Sequence, residues 1–319
     1  MPLNNLSSPV IFVVGSFVTG ITIRVLRQPV IGETLIGNDF NLGPGGKGFN
    51  QAIAASRAGA IVNVILCTGK DIFAEMAEKT LEKEGISTEL LFKMGHINTG
   101  CGLVTLLQSG ENSIIIDIGA NAKLNPEMIS QATEHIAKSK VLMAQLEVPD
   151  EAIEKALFLG KKHGCVTILN PAPARLLLPA ILKNTDILTP NETEAKILLG
   201  IAPDADVPLI QISQGLLALG IKIIIMTRGK HGAVIITKKE IIEIPAPTII
   251  PFDSTGAGDC FNGNLACALA KGIPLKEAVK RAVYAGAFCT QYLGVIDGLP
   301  HTGKLDTYIN QDTSLISIN

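Results

Sequence analysis

The sequence predicts an α/β fold in which a central, mostly parallel sheet is covered by helices and carries a small second sheet. Three observations lead there. Short runs rich in Ile, Val and Leu alternate with helix-like segments along the whole chain, the pattern of β-strands joined by helical crossovers. The runs are apolar throughout, as strands buried on both faces must be. Two stretches, 21–42 and 90–118, break the alternation with strand-like segments joined by glycine turns.

In chain order, buried strands are expected over 10–14, 62–66, 141–145, 166–169, 187–188 and 223–227. Helices are expected over 51–58, 73–83, 125–137, 149–163, 192–199 and 209–219, mostly after an Asp, Asn or Pro start signal. Within the exceptional stretches, 100–108 and 112–118 read as strands. Pattern alone allows either a small projecting sheet or edge strands of one large sheet. No linker or low-complexity tract divides the chain, so 1–319 reads as a single domain with any small sheet inserted from about 21–42 and 90–118.

The length of 319 residues suffices for a sizeable core without a metal or disulfide staple. Charged residues are 18 % and the formal net charge is −2, which argues against a disordered chain and against nucleic acid as partner. No apolar run approaches the roughly 20 residues of a membrane span. The run from Val10 to Val14 follows no Lys or Arg and is ended by Gly15 and Ser16, too soon for a signal peptide, so no membrane partner is expected. Six dispersed cysteines include no C-x-x-C pair, which favours a reducing cytoplasm over a zinc or redox site. Glycine, at 31 residues, exceeds ordinary turn needs, and two clusters of it stand out.

The first cluster is Gly43-Pro44-Gly45-Gly46-Lys47-Gly48-Phe49-Asn50-Gln51, leading into a helical segment. Such glycines let backbone approach a ligand beside a helix N-terminus. Gly48 follows Lys47 where a Walker A loop needs Ser or Thr, so the P-loop reading fails. Gly43, Gly45 and Gly48 fit G-x-G-x-x-G, with Asp71 placed as a dinucleotide site would have it. The preceding residues 37–41 are nevertheless too polar for the buried strand that fold requires. A plain turn is the remaining alternative.

The second cluster is Asp253-Ser254-Thr255-Gly256-Ala257-Gly258-Asp259, before another helical run. Small residues at a helix start expose successive N–H groups to an anion. Asp253 and Asp259 could simply be N-caps. A cap does not need Gly-Ala-Gly between two carboxylates, whereas phosphoryl transfer needs donors for the migrating phosphoryl oxygens and a carboxylate near the attacking hydroxyl.

Gly45-Gly46-Lys47-Gly48-x-Asn50-Gln51-Ala52, Asn170-Pro171-Ala172-Pro173-Ala174-Arg175, Pro190-Asn191-Glu192-Thr193-Glu194 and the Asp253 to Asp259 segment occur in the order seen in the ribokinase family of carbohydrate kinases. Pro29-Val30-Ile31-Gly32-Glu33-Thr34 and Gly119-Ala120-Asn121-Ala122 add to the resemblance, which covers about 10–300. It implies a three-layer sandwich with a small β-sheet lid that often mediates dimers. It implies a sugar kinase using ATP with magnesium, and potassium as activator, with D-ribose as leading substrate. By the same resemblance Asp259 is the catalytic base, and the N–H groups of Gly256, Ala257, Gly258 and Asp259 form an anion hole. Gly45, Gly46, Lys47, Asn50 and Glu147 fall at sugar-binding positions, although Lys47 also reads as a solvated charge and Glu147 as a helix-start acid. Asn191, Thr227, Gly229, Gly232 and Gly258 fall at nucleotide positions, and Glu194 at one linked to magnesium through water. Asp253, Thr255, Cys289, Tyr292 and Gly294 fall at the monovalent-cation site.

Two departures matter. Gly298 stands where a cation-site serine is usual, which weakens the expected potassium activation. The family's Gly-Ser-x-Asn-x-Asp segment reads Gly15-Ser16-Phe17-Val18-Thr19-Gly20, so two sugar-binding side chains are lost unless Ser16, Thr19 or water replaces them. Deoxyribose, another pentose, a ketohexose or a nucleoside therefore stays open as substrate. A non-catalytic sugar or nucleotide sensor is the alternative of a different class.

Overall fold

The computed structural model describes residues 8–108 and 112–311. Its strands are β1 (Val10–Val14), β2 (Val18–Val25), β3 (Asn38–Gly45), β4 (Ile61–Thr68), β5 (Leu91–Lys93), β6 (Gly100–Leu107), β7 (Asn112–Asp117), β8 (Val141–Gln145), β9 (Val166–Asn170), β10 (Ile187–Leu188), β11 (Ile223–Thr227), β12 (Ala233–Ile236) and β13 (Ile241–Ile244). The large sheet runs in the order β13-β12-β11-β10-β9-β8-β1-β4-β5. From β11 to β5 every pairing is parallel, and β12 and β13 add an antiparallel edge.

Strand β1 lies inside the sheet and shows why its run is apolar throughout. Ile11 and Val13 enter one core with the helices Lys47–Arg57, Ala257–Ala270 and Leu275–Cys289. Phe12 and Val14 enter a second core with the Asp150–Lys162 helix and its neighbours. Alternate residues thus face opposite helical layers, each full burial stabilising by about 1.5 to 3 kcal/mol.

The small sheet runs β3-β2-β6-β7, with β2 and β6 parallel and the two outer pairings antiparallel. It starts at Val18 and ends its β3 strand at Gly45, so both boundaries of the first exceptional stretch lie outside 21–42. Leu91–Lys93 joins the large sheet beside β4, so the second stretch is divided between the sheets; residues 109–111 of it lie outside the described residues.

Gly43 and Gly45 belong to a strand and not to a loop, and the helix expected over 51–58 begins at Lys47. Gly46 makes that abrupt switch at φ 96°, where a Cβ would lie 2.8 Å from the Ser16 carbonyl oxygen and 2.9 Å from the Val18 nitrogen. The helix expected over 125–137 divides at Ala132 into Pro126–Gln131 and Thr133–Ala137. Asp71 caps the Ile72–Lys83 helix through the N–H groups of Phe73 and Ala74 and also binds Thr99. That commitment and the exposure of Asn38 to Asn41 remove the dinucleotide reading.

Candidate active site

The parallel strands deliver their following residues to one edge of the large sheet, where open α/β sheets bind ligands. Gly15 and Ser16 follow β1, Leu146 and Glu147 follow β8, Asn170 ends β9, Asn191 follows β10, and Thr227 ends β11. A bridge between Asn191 and Thr227 extends the ladder there.

Gly256 starts the Ala257–Ala270 helix from the left-handed region at φ 78°, and a Cβ on it would lie 2.4 Å from Val295 Cγ1. No side chain caps this helix. Asp253 instead accepts the N–H groups of Thr255 at 2.9 Å and Gly294 at 3.1 Å, joining two loops. Neither aspartate is therefore an N-cap. The first N–H groups of a helix have no partner within it, so those of Gly258 and Asp259 are available to an anion. The N–H of Ala257 donates to the Ser254 carbonyl at 3.3 Å and is the one expected anion-hole donor already engaged.

Asp259 is buried and held on both oxygens. Oδ2 accepts from Asn50 Nδ2 at 2.9 Å, and Oδ1 accepts from Gln51 Nε2 at 3.0 Å. Gln51 Nε2 also reaches Asn170 Oδ1 at 3.1 Å, while Gln51 Oε1 accepts from Gln145 Nε2 at 2.7 Å. Burial pushes the Asp259 pKa above the usual carboxylate range despite Lys47 and the two amides, and Glu147 adds to the rise. Asn50 Oδ1, beside this carboxylate, is buried with no hydrogen-bond partner among the described residues.

Burial works against the charge of Lys47, yet Asp259, Glu147 and Glu194 together raise its pKa. Lys47 is thus the cation among three carboxylates, which displaces its reading as a solvated loop charge. Glu147 Oε2 accepts the Ser16 hydroxyl at 2.5 Å and the Lys47 N–H at 2.9 Å. Its carboxylate sits at the start of the Lys47–Arg57 helix, where the helix dipole favours an anion.

A family model described as pfkB family carbohydrate kinase matches residues 11–302. The chain belongs to that family. It is 35 % identical to the deoxyribokinase of Salmonella typhi over 94 % of this chain and 98 % of the relative. It is also 35 % identical to the ribokinase of Haemophilus influenzae, over 84 % and 88 %. Arabidopsis thaliana ribokinase, solved with ribose and ATP, superposes with a TM-score of 0.87 at 28 % identity, covering 95 % of this chain and 99 % of that one. This pfkB-family chain is a sugar kinase with the ribokinase-like α/β fold.

Within this pfkB-family site, Gly46, Lys47, Asn50, Glu147 and Asp259 come together, while Gly45 ends the adjoining β3 strand. Asn191 and Glu194 form a reciprocal capping box on the Glu192–Leu198 helix, at 2.8 Å in each direction. Burial nevertheless raises the Glu194 pKa above the opposing pull of that N–H and of Lys47, with Asp259 adding to the rise, which ties this helix start to the carboxylate cluster. Thr227 leads into a turn closed by the Arg228 N–H on the Gly232 carbonyl at 2.8 Å, with Gly229 at φ 51° and Gly232 at φ 85°. Around Asp253, Thr255 and Gly294 are joined through its carboxylate, and the Cys289 carbonyl accepts the Tyr292 N–H at 3.2 Å.

Sequence reasoning gave no role to Gln51, Gln145 and Asn170, which carry the network behind Asp259. The available signal was a polar amide at the end of an apolar strand run, at Gln145 and again at Asn170.

Proposed function

We propose that this sugar kinase transfers the γ-phosphoryl group of ATP to the primary hydroxyl of a pentose, converting D-ribose to D-ribose 5-phosphate. The observation that carries this is a buried carboxylate, Asp259, on the same helical turn as open N–H donors. Asp259 takes the hydroxyl proton, the freed oxygen bonds to the γ-phosphorus, and the bond to the ADP oxygen breaks. The N–H groups of Gly256, Gly258 and Asp259 stabilise the migrating phosphoryl group, with Ala257 contributing once its link to Ser254 is released. Lys47, Glu147 and the unpaired Oδ1 of Asn50 bind the sugar hydroxyls. A ribokinase and a deoxyribokinase are each 35 % identical to the chain, which supports a pentose as acceptor.

The nucleotide is read by Asn191, Thr227, Gly229 and Gly232. Glu194 is suited to hold magnesium through water, and the ion neutralises charge on the ATP phosphates when bound. A monovalent cation fits the oxygen-only set of the Asp253 carboxylate and the carbonyls of Thr255, Cys289, Tyr292 and Gly294. At Gly298 a serine would crowd Cys289, because its Cβ would lie 2.8 Å from the Cys289 carbonyl oxygen. The site therefore lacks a serine hydroxyl, and potassium should activate by only a few fold. An ADP-release assay over ribose, deoxyribose, other pentoses, ketohexoses and nucleosides, with and without potassium, is expected to show turnover with a pentose. Sugar binding without ADP release across the whole panel would make the protein a sensor.

The small sheet serves as lid over the sugar and as a dimer contact. Its outer face carries Phe40, Leu42, Leu103 and Ile115, exposed by 66, 39, 49 and 73 %. Leu42 and Leu103 both pair with Ile21, and Leu103 pairs with Ile115, so three of these side chains share one face. An apolar patch of this kind fits a second copy of the chain. Sedimentation should show a dimer that Ile115→Lys dissociates; a monomer in the unmodified protein removes the reading. All six cysteines are free, in keeping with the cytoplasm. Among the described residues no helix is long and apolar enough to cross a membrane.

A further inference from the structure

The turn that backs the start of the Ala257–Ala270 helix is too short to hold itself in place. Val295–Gly298 is a single helical turn entered from Gly294. Its own hydrogen bonds are long, with the Gly298 N–H on the Gly294 carbonyl at 3.3 Å and the Leu299 N–H on the Ile296 carbonyl at 3.3 Å. A lone turn fixes more backbone than its few bonds repay, and its last carbonyls find no partner within it. Yet this turn touches the site on two sides. Val295 fills the space beside Gly256, where any Cβ would lie 2.4 Å from its Cγ1, and the Gly294 N–H donates to Asp253. Wherever the turn sits, the helix start must follow.

Arg57, the last residue of the Lys47–Arg57 helix, supplies the missing support. Its Nη1 donates to the Ile296 carbonyl at 2.6 Å and to the Leu299 carbonyl at 2.8 Å. Its Nε and Nη2 hold the Glu84 carboxylate at 2.9 and 2.6 Å, where Glu84 ends the Ile72–Lys83 helix. The two side chains are exposed by only 11 and 7 %, and the guanidinium holds the Glu84 carboxyl below the usual carboxylate range. A buried guanidinium without a counter-charge is costly, so Glu84 is what allows Arg57 to lie under the turn. The planar fork matters too, because a lysine ammonium has no second arm to reach the carboxylate and both carbonyls together.

We infer that Arg57 is a positioning residue for phosphoryl transfer: with Glu84 as its counter-charge it fixes the 294–299 turn, and through that turn the Gly256 end of the anion-binding helix. This rests on the reading of Gly256, Gly258 and Asp259 as the donors to the migrating phosphoryl group. Arg57 lies about 15 Å along its helix from Lys47, away from the sugar-binding end. Loosening the turn should therefore displace the phosphoryl donors and leave the sugar contacts in place.

The test compares kcat, Tm and the calorimetric Kd of the pentose turned over fastest in the unmodified protein, Glu84→Gln, Arg57→Lys and the double variant Arg57→Met/Glu84→Gln. The double variant replaces a buried ion pair by neutral side chains of similar size, which folds tolerate, and removes both carbonyl bonds. It should lose about tenfold in kcat while the sugar Kd stays within about twofold. Arg57→Lys keeps the charge pair and should lose kcat in the same way, so it decides the matter if the double variant does not fold. Glu84→Gln leaves the guanidinium on both carbonyls, so Tm should fall while kcat stays within about twofold. A kcat within about twofold of the unmodified rate in Arg57→Lys and the double variant overturns the inference and leaves the kinase reading intact. So does an equal loss of kcat and sugar affinity, which would mean that the whole Lys47–Arg57 helix has shifted, or a kcat loss in Glu84→Gln as large as in the double variant. Absence of ATP-dependent turnover of any pentose by the unmodified protein overturns the pentose-kinase reading, and this inference with it.

Discussion

Asp259→Asn is expected to lower kcat by at least about a hundredfold while leaving ATP affinity and the fold intact. The amide cannot accept the sugar hydroxyl proton, yet it fits the same space. Asn50 can turn its unpaired Oδ1 toward the new amide, so the two side chains remain hydrogen-bonded. The sign of the stability change follows from the direction of the pKa. Burial raises the folded-state pKa of Asp259 above its unfolded value, so between those values the folded protein binds more protons and loses stability as pH rises. At neutral pH the ionised carboxylate is a net cost that the amide removes, and Tm should be unchanged or higher. In the unmodified enzyme the same raised pKa places the acid limb of kcat/KM above the ordinary carboxylate range. Turnover of Asp259→Asn near the unmodified rate would sink the base assignment.

Gly263→Val is expected to damage stability and catalysis together. A Cβ on Gly263 would lie 2.5 Å from Ala54 Cβ, 2.7 Å from the Gln51 carbonyl oxygen and 2.8 Å from the Ala55 nitrogen. The Lys47–Arg57 and Ala257–Ala270 helices therefore touch backbone to backbone, and a valine must push them apart at about 3 kcal/mol. That contact also sets the distance from Asn50 and Gln51 on one helix to Asp259 on the other. A drop in Tm of several degrees should accompany at least about a tenfold loss in kcat. An unchanged Tm would show that the helices tolerate separation.

The residues explain which parts of the molecule could be read from sequence. Strands such as 10–14 and 141–145 are legible because burial on both faces demands uninterrupted apolar runs. The β12-β13 hairpin is not legible in the sequence because its edge strand has exposed positions at Ile241 and Glu243, and its turn carries Lys238 and Lys239. The two glycine clusters stand out in the sequence, but whether Gly43 and Gly45 lie in a loop or a strand depends on pairing with β2, a contact between distant segments. The amide network behind Asp259 is non-local in the same way, with Gln51, Gln145 and Asn170 meeting only after three crossovers are laid side by side. A capping role for Asn191 and Glu194 was written locally, in a residue spacing that also suits a nucleotide site.

The amides around Asp259 also limit where its proton can go. Neither Asn50 nor Gln51 gains or loses a proton at ordinary pH, so the side chains holding the carboxylate cannot carry charge into the interior. Lys47, at the start of the neighbouring helix, is the cation that opposes the rise of the Asp259 pKa. If Asp259 is the base, as proposed, the proton it takes from the sugar is expected to leave past Lys47 toward the mouth of the site, and not through the amides behind it.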